Sequence, residues 1–259
     1  MISVELIISL LGFSLGSFIN ACAYRIPRGI SVVSPRSFCP GCQTTLRWYD
    51  IIPLFGFLIS RGRCRNCGVK ISLIDPLAEL CTAGLAVVLF LEYGASLQFL
   101  SFLSFSLIMV LIAVIDWQHL VIPNKIIVSG FILGVVLRIA AFDFSVLLES
   151  VLACLAAAAA ILFVRLTGNI IFRKETMGMG DVKLSGLIGF YAGLPGFLIS
   201  FWIAALAGAI FGLGRMALKG RTADTKIPFG TFLAVSSILY VLLKDIFEQW
   251  VESWWTSIL

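Results

Sequence analysis

Long apolar runs separated by short polar links dominate the chain, and they set the fold before any motif does. Eight runs, at 2–23, 77–93, 97–115, 126–142, 146–164, 180–194, 196–214 and 228–243, approach the ~20 residues a helix needs to cross a hydrocarbon core. The sixth is short and interrupted by glycine. Lipid offers no hydrogen-bond partner to a backbone, so each run is predicted to be helical. The expected fold is all-α and polytopic, with about eight transmembrane helices.

Four segments follow from the same pattern. Residues 1–23 form the first transmembrane helix, and 24–76 is the one polar stretch large enough to be a small subdomain. Residues 77–243 form a membrane-embedded core. The last stretch, 244–259, carries Trp250, Trp254 and Trp255 with Glu248 and Glu252, and reads as an interfacial tail, since Trp favours the headgroup level. The alanine tract Ala156 to Ala160 is a candidate face for close helix packing.

Composition agrees with the pattern: 60% of the 259 residues are hydrophobic and 13% charged, where a soluble domain carries roughly 25% charge. The net charge of +5 changes the picture only through its placement. Basic residues cluster in 24–76 (Arg25, Arg28, Arg36, Arg47, Arg61, Arg63, Arg65, Lys70), after the fifth run (Arg165, Arg173, Lys174, Lys183) and after the seventh (Arg215, Lys219, Arg221, Lys226). The links between these regions are nearly free of Lys and Arg, which is the positive-inside arrangement. The charge therefore reports topology in a bilayer rather than a nucleic-acid partner. Because Arg25 and Arg28 follow the first run, that run is not a cleavable signal peptide. The same order puts the N-terminus outside and 24–76 in the cytoplasm.

Two C-x-x-C pairs, Cys39-Pro-Gly-Cys42 and Cys64-Arg-Asn-Cys67, stand 21 residues apart. Each pair can present two thiolates to one tetrahedral ion, and the spacing matches a zinc ribbon. Gly41 and Gly68 suit knuckle turns that aim backbone N–H groups at the sulfurs. Four thiolates leave no open position, so such an ion is structural. The alternatives are four unpaired thiols or a redox pair, and a reducing cytoplasm disfavours a disulfide. Cys22, Cys81 and Cys154 lie in apolar runs and read as small buried residues.

Acidic residues beside spanning segments are costly, and two stand out. Asp116 ends the third run and Asp181 opens the sixth, both on the cytoplasmic side of the deduced topology. Two carboxylates sharing one site cannot both ionise easily, so one keeps its proton. The ionised one can then deprotonate a water while its protonated partner donates to a scissile carbonyl. Gly178 and Gly180, lacking Cβ, let an extended backbone approach Asp181. Taken singly, either Asp also reads as a helix cap or a partner for Lys125 or Lys183.

At these residues the sequence resembles the type IV prepilin peptidase family. Gly178-Met179-Gly180-Asp181 matches the Gly-x-Gly-Asp signature of intramembrane aspartic proteases. The resemblance runs on through Gly16-Ser17-Phe18-Ile19-Asn20, Tyr24-Arg25-Ile26-Pro27, the double C-x-x-C, Glu79, Asp116, Pro123-Asn124, Glu175, Val182-Lys183-Leu184 and Pro228-Phe229-Gly230. It implies a bacterial inner-membrane enzyme whose catalytic pair is Asp116 and Asp181. The implied reaction removes the basic leader of type IV prepilins or type II secretion pseudopilins on the cytoplasmic side. It also implies N-methylation of the new N-terminal residue from S-adenosylmethionine, with a leader peptidase lacking methyl transfer as the alternative. No glycine-rich nucleotide fingerprint is visible, so the methyl donor rests on resemblance alone. Thr176 departs from the smaller residue often found there.

Other residues carry weaker expectations. Glu175, Asp75, Glu79 and Asp224 can attract a basic leader or simply pair with local Arg and Lys. Asn20, Arg25 and Glu79 are candidates for methyl transfer or leader contact, and helix packing explains them as well. Glu175 and Lys183 support the Gly-x-Gly-Asp motif. Pro123 and Pro228 either break helices or begin them, His119 reads as an interfacial side chain, and Arg138 is paired with Asp143 or snorkels. A proton-relaying transporter is the rival of another class, but it predicts inverted repeats and charges at the midplane, and neither is visible. A membrane-anchored zinc module that only binds partners is a third reading.

Overall fold

A computed structural model describes residues 3–141, 144–219, 227–247 and 249. Asp143, Asp224, Glu248, Glu252 and the three C-terminal tryptophans, on which several expectations rest, lie outside the described residues. The helices are α1 (Val4–Arg25), α2 (Phe55–Ile59), α3 (Ile74–Tyr93), α4 (Leu97–His119), α5 (Asn124–Ala140), α6 (Phe144–Phe172), α7 (Met179–Lys219) and α8 (Phe229–Leu242). Among the described residues the only extended pairing is two isolated bridges between α1 and α3.

Each expected run lies on a helix, with the sixth and seventh fused into α7. That helix breaks at Gly193 (φ 71°, ψ 175°), two residues before Pro195. Proline cannot donate to the preceding turn, and only glycine adopts those angles without strain, so the pair ends one segment and starts the next. Among the described residues five helices, α1, α3, α4, α6 and α7, are long and apolar enough to cross a membrane, and α8 is a shorter apolar helix.

The chain divides into two compact units, 1–119 and 120–259. In the first, α1 begins at Ser3, whose hydroxyl accepts from the Leu6 N–H and satisfies one of the four N–H groups a helix start leaves open. It packs on α3 through Gly12 and Gly16, four residues apart on one face. A Cβ on Gly12 meets the Ala83 Cα at 2.6 Å, and one on Gly16 meets the Glu79 Cα at 2.6 Å. The backbones are therefore in direct contact, the small-residue packing that membrane helices use where lipid removes any hydrophobic drive. The buried Thr82 hydroxyl lies 2.9 Å from the Gly12 carbonyl across the seam. An edge-on aromatic pair, Phe90–Phe99 at 5.6 Å, and a tilted one, Tyr93–Phe102 at 5.1 Å, join α3 to α4.

In the second unit, α6 and α7 repeat this device. A Cβ on Gly189 falls 2.6 Å from the Ala153 carbonyl and 2.8 Å from the Ala157 Cβ. Ala157 is fully buried, so the alanine tract does furnish a packing face, through that residue above all. Tyr191 reaches from α7 to donate to the Gly130 carbonyl of α5 at 3.0 Å. Ser236 of α8 donates to the Ser200 carbonyl of α7 at 2.7 Å.

Candidate active site and metal centre

Asp116 lies three residues inside the end of α4, buried at 5% exposure. It is not the terminal cap that the apolar run suggested, because the helix continues through Trp117, Gln118 and His119. Asp181 lies in the first turn of α7, half-buried, where the helix N-terminus favours a negative charge. The two aspartates belong to different units. A Cβ on Gly178 is 3.5 Å from Asp181 Oδ2, and one on Gly180 is 3.0 Å from the Ile122 Cβ. Gly178 thus leaves the carboxylate uncovered on one side, while Gly180 lets α7 start against the segment leading into α5. The Asp181 carbonyl accepts from Ser185, and Lys183 donates to Asn124 Oδ1 at 2.8 Å.

The chain entering Asp181 is held by residues that the motif does not contain. Arg165 donates Nε to the Met177 carbonyl at 2.9 Å, Nη1 to the Met179 sulfur at 3.2 Å, and Nη2 to Glu175 at 3.5 Å. Asn169 Oδ1 accepts both the N–H and the hydroxyl of Thr176, and Gly168 lets Thr176 settle against α6. Thr176, the departure from the family pattern, is therefore a fixed point of this turn. Sequence reasoning assigned Arg165 only to topology. What hid the bracket is that α6 runs eight residues past the expected border and carries all three residues.

Residues 26–73 carry the cysteines. The two pairs fold alike: the Cys39 N–H bonds the Thr44 carbonyl and the Gln43 N–H the Cys39 carbonyl, as Cys64 does with Val69 and Gly68 with Cys64. After each second cysteine the backbone turns left-handed, at Gln43 (φ 59°) and Gly68 (φ 71°). Gly68 fills the expected role. Gly41 does not; it is small because a Cβ there meets Val69 at 2.9 Å and the Cys67 sulfur at 3.5 Å.

The four Sγ atoms lie within 4.8 Å of one another, with Cys39–Cys67 at 3.8 Å and Cys42–Cys64 at 4.0 Å. A tetrahedron of thiolates about 2.3 Å from zinc has edges of about 3.8 Å, so the set fits a four-sulfur metal site. The Thr44 hydroxyl and N–H, with the Asn66 amide, pull the Cys42 thiol down to about 6. The N–H groups of Cys67 and Asn66 lower Cys64. The Val69 N–H works to lower Cys67 as well, but desolvation and the crowding sulfurs push it up to about 12. Four thiolates coexist here only with a cation to hold them.

The remaining candidates gather where α1 meets α3. Asn20 donates to the Asp75 carbonyl at 2.8 Å, and its own oxygen is buried without a partner among the described residues. The buried Glu79 accepts from the Leu54 N–H at 2.8 Å and from Ser17 and Asn20. Arg25 points away from this group. Its buried guanidinium donates to the carbonyls of Ser31, Val32 and Pro35, fastening the chain that leaves α1. Pro123 and Pro228 each stand one residue before a helix and do not interrupt one. His119 Nε2 is 3.5 Å from Arg28. Of the other cysteines Cys22 is buried, Cys154 half-buried and Cys81 exposed on α3.

Comparison with known proteins covers most of the chain. The model of the bacterial peptidase A24 N-terminal domain matches residues 10–93, and that of the type IV leader peptidase family matches 103–213. A prepilin leader peptidase/N-methyltransferase of Bacillus subtilis (strain 168) is 35% identical over 92% of this chain and 94% of its own length. A type 4 prepilin-like proteins leader peptide-processing enzyme of Escherichia coli O78:H11 is 31% identical over 91% of this chain and 93% of its own. A prepilin leader peptidase/N-methyltransferase of Legionella pneumophila is 28% identical over 96% and 95%. No solved structure matches. By these near full-length similarities the chain belongs to the type IV prepilin peptidase family, the peptidase A24 group.

Proposed function

We propose that this protein is a prepilin leader peptidase and N-methyltransferase of the bacterial inner membrane, crossing the bilayer about eight times with its N-terminus outside. The observation that carries the reading is the near full-length similarity to enzymes of that name. Its substrates are type IV prepilins or type II secretion pseudopilins. Their basic leaders are cut on the cytoplasmic side, where the exposed Glu175 offers them a negative charge.

Asp116 and Asp181 act as one pair. The ionised member takes a proton from water, the resulting hydroxide adds to the scissile carbonyl, and the other member gives its proton to the carbonyl oxygen. Gly178 and Gly180 admit the extended substrate backbone to Asp181. The two carboxyls have unlike surroundings, Asp116 buried within α4 and Asp181 half-buried at the start of α7, which supports an unequal pair.

Zinc held by Cys39, Cys42, Cys64 and Cys67 organises the loop within 24–76, which serves the methyl-transfer half. S-adenosylmethionine supplies an activated methyl group for the new N-terminal amine. The unpartnered oxygen of Asn20 beside the Glu79 carboxylate offers acceptors suited to an ammonium group, as on that donor or on the new N-terminus.

The test is incubation of purified enzyme with a prepilin segment, with and without S-adenosylmethionine, read by mass. Leader loss should need no donor, and one methyl should be added only with it. Asp116→Asn and Asp181→Asn should each abolish cleavage while the protein still inserts. Full cleavage by either variant overturns the aspartic mechanism.

A further inference from the structure

Among the described residues, most exposed apolar side chains lie on the long apolar helices, but one group lies in the polar segment 26–73. Helix α2 turns Gly56 and Phe57 inward, Gly56 against the Asp50 backbone and Phe57 over Gly62. It turns Phe55, Leu58 and Ile59 outward, at 63%, 65% and 61% exposure. Trp48, in the short 3-10 turn Trp48–Asp50 just upstream, is 72% exposed. In water such a group is a liability, and it calls for a cover.

The attachment of α2 identifies the cover. Leu54, the residue before the helix, has φ 59° and ψ −49°, a conformation costly for a branched side chain. The Leu54 N–H bond to the buried Glu79 carboxylate holds it there. Glu79 lies five residues into α3, roughly 7 Å along the axis from its start, and α3 is one of the membrane-crossing candidates. α2 is thus tied to the side of a spanning helix at the depth where interfacial helices lie, roughly 5–10 Å into the headgroup and acyl boundary. Along the start of α3, Leu73, Leu77 and Leu80 are exposed as well.

Charge points the same way. Residues 26–73 hold seven Arg and Lys against one acidic residue, Asp50, which Arg65 occupies at 3.1 Å. Arg61 and Arg63 directly follow α2, and Lys70 faces Arg63 across a bridge. All three are exposed. A basic leader is repelled by such a surface, and an anionic lipid headgroup is attracted to it.

We propose that α2 with Trp48 is a membrane-interface anchor that seats the cysteine-bearing loop on the bilayer, with Arg61, Arg63 and Lys70 contacting anionic lipid phosphates. The anchor rests on the reading above only in taking α1 and α3 as membrane-spanning.

The experiment uses the full-length, metal-loaded protein in nanodiscs of neutral phosphatidylcholine, or of the same lipid with phosphatidylglycerol, each carrying brominated acyl chains. Trp48 emission is isolated as the difference between the parent protein and Trp48→Phe. Brominated lipid should quench this emission, aqueous iodide should not, and quenching should deepen with phosphatidylglycerol. Arg61→Gln/Arg63→Gln/Lys70→Gln should remove the phosphatidylglycerol dependence. Phe55→Ser/Leu58→Ser/Ile59→Ser should lose most of the lipid quenching while retaining bound metal. Trp48 emission open to iodide and untouched by brominated lipid overturns the anchor. So does shielding that appears only when a prepilin segment is added, which would make the face a substrate surface. Leader cleavage measured on the same nanodiscs separates the two readings, because a free loop beside intact cleavage removes the anchor alone.

Discussion

Replacing Arg165 should cripple the peptidase without unfolding it. The side chain is 17% exposed and makes three contacts to the turn that delivers Asp181. They are unequal. A charged donor on the Met177 carbonyl, in a part-buried bond, contributes about 1.5–3 kcal/mol. The Glu175 carboxylate is 87% exposed and 3.5 Å away, so solvent screening leaves that pair at most ~1 kcal/mol. The thioether is a weak acceptor and adds little. Arg165→Met keeps the apolar stem on α6 and removes every donor, so the turn should loosen by about 2 kcal/mol. If cleavage needs the held turn, its rate falls by roughly 30-fold, at 1.36 kcal/mol per decade. Arg165→Lys keeps the positive charge that topology needs but cannot reach three acceptors at once, so it should fall nearly as far. Glu175→Gln should cost less than about fivefold. The assay is the initial rate of leader removal from a prepilin segment, paired with limited proteolysis at 173–178. A Met variant that cleaves at the parent rate with that turn still protected refutes the bracket. Rescue by Lys would mean that only the charge matters.

Three further outcomes follow from packing and ligation. Gly16→Val drives a side chain into the α3 backbone and should cost about 1–3 kcal/mol. Gly84→Ala on α3, which meets nothing within 4 Å, should leave the thermal midpoint in detergent unchanged. Gly189→Val should wedge α6 from α7 by a similar amount, with the loss seen in the same melt, and an unchanged midpoint would disprove that contact. Stripping the metal with a strong chelator, or Cys64→Ser, should open residues 26–73 to protease and hydrogen exchange, while α6 and α7 stay protected. Full protection of the loop after verified metal loss would show that the cysteines hold it without an ion.

Hydropathy made the helices legible because lipid allows a long apolar run few other outcomes. It was blind to where they end. α4 passes Asp116 by three residues and α6 passes its expected border by eight, because amphipathic turns at the membrane edge carry no apolar excess. The bracket of Arg165, Gly168 and Asn169 was hidden for that reason, each residue being ordinary until the helix under it is known. Gly12 and Gly16 could have been found from their four-residue spacing, but spacing names no partner, and Thr82 and Ala83 emerge only from the packing. The cysteine cluster was readable because metal geometry constrains sequence tightly. Even there the left-handed turn fell on Gln43, where a glycine would have been the natural guess.

The same contrast bears on whether cleavage and methylation, the two activities proposed for this chain, can be separated by one substitution. Glu79, in the first turns of α3, is where Ser17 and Asn20 of α1 and the strained Leu54 that precedes α2 meet. A carboxylate with several donors directed at it is costly to leave incompletely satisfied, so these parts are held together or released together. Glu79→Gln keeps shape but loses the charge that orders its donors. It should therefore release Leu54 from its strained conformation and free α2 while the cysteine cluster still binds metal. Because the donors that Glu79 holds are Leu54, Ser17 and Asn20, and not the turn that carries Asp181, leader cleavage should persist in this variant and methyl transfer should fall. Mass analysis of the product, cleaved but unmethylated, would read this directly. A Glu79→Gln enzyme that methylates normally would mean that the α1–α3 junction is scaffold alone, and that the methyl-transfer site must be sought elsewhere in the chain.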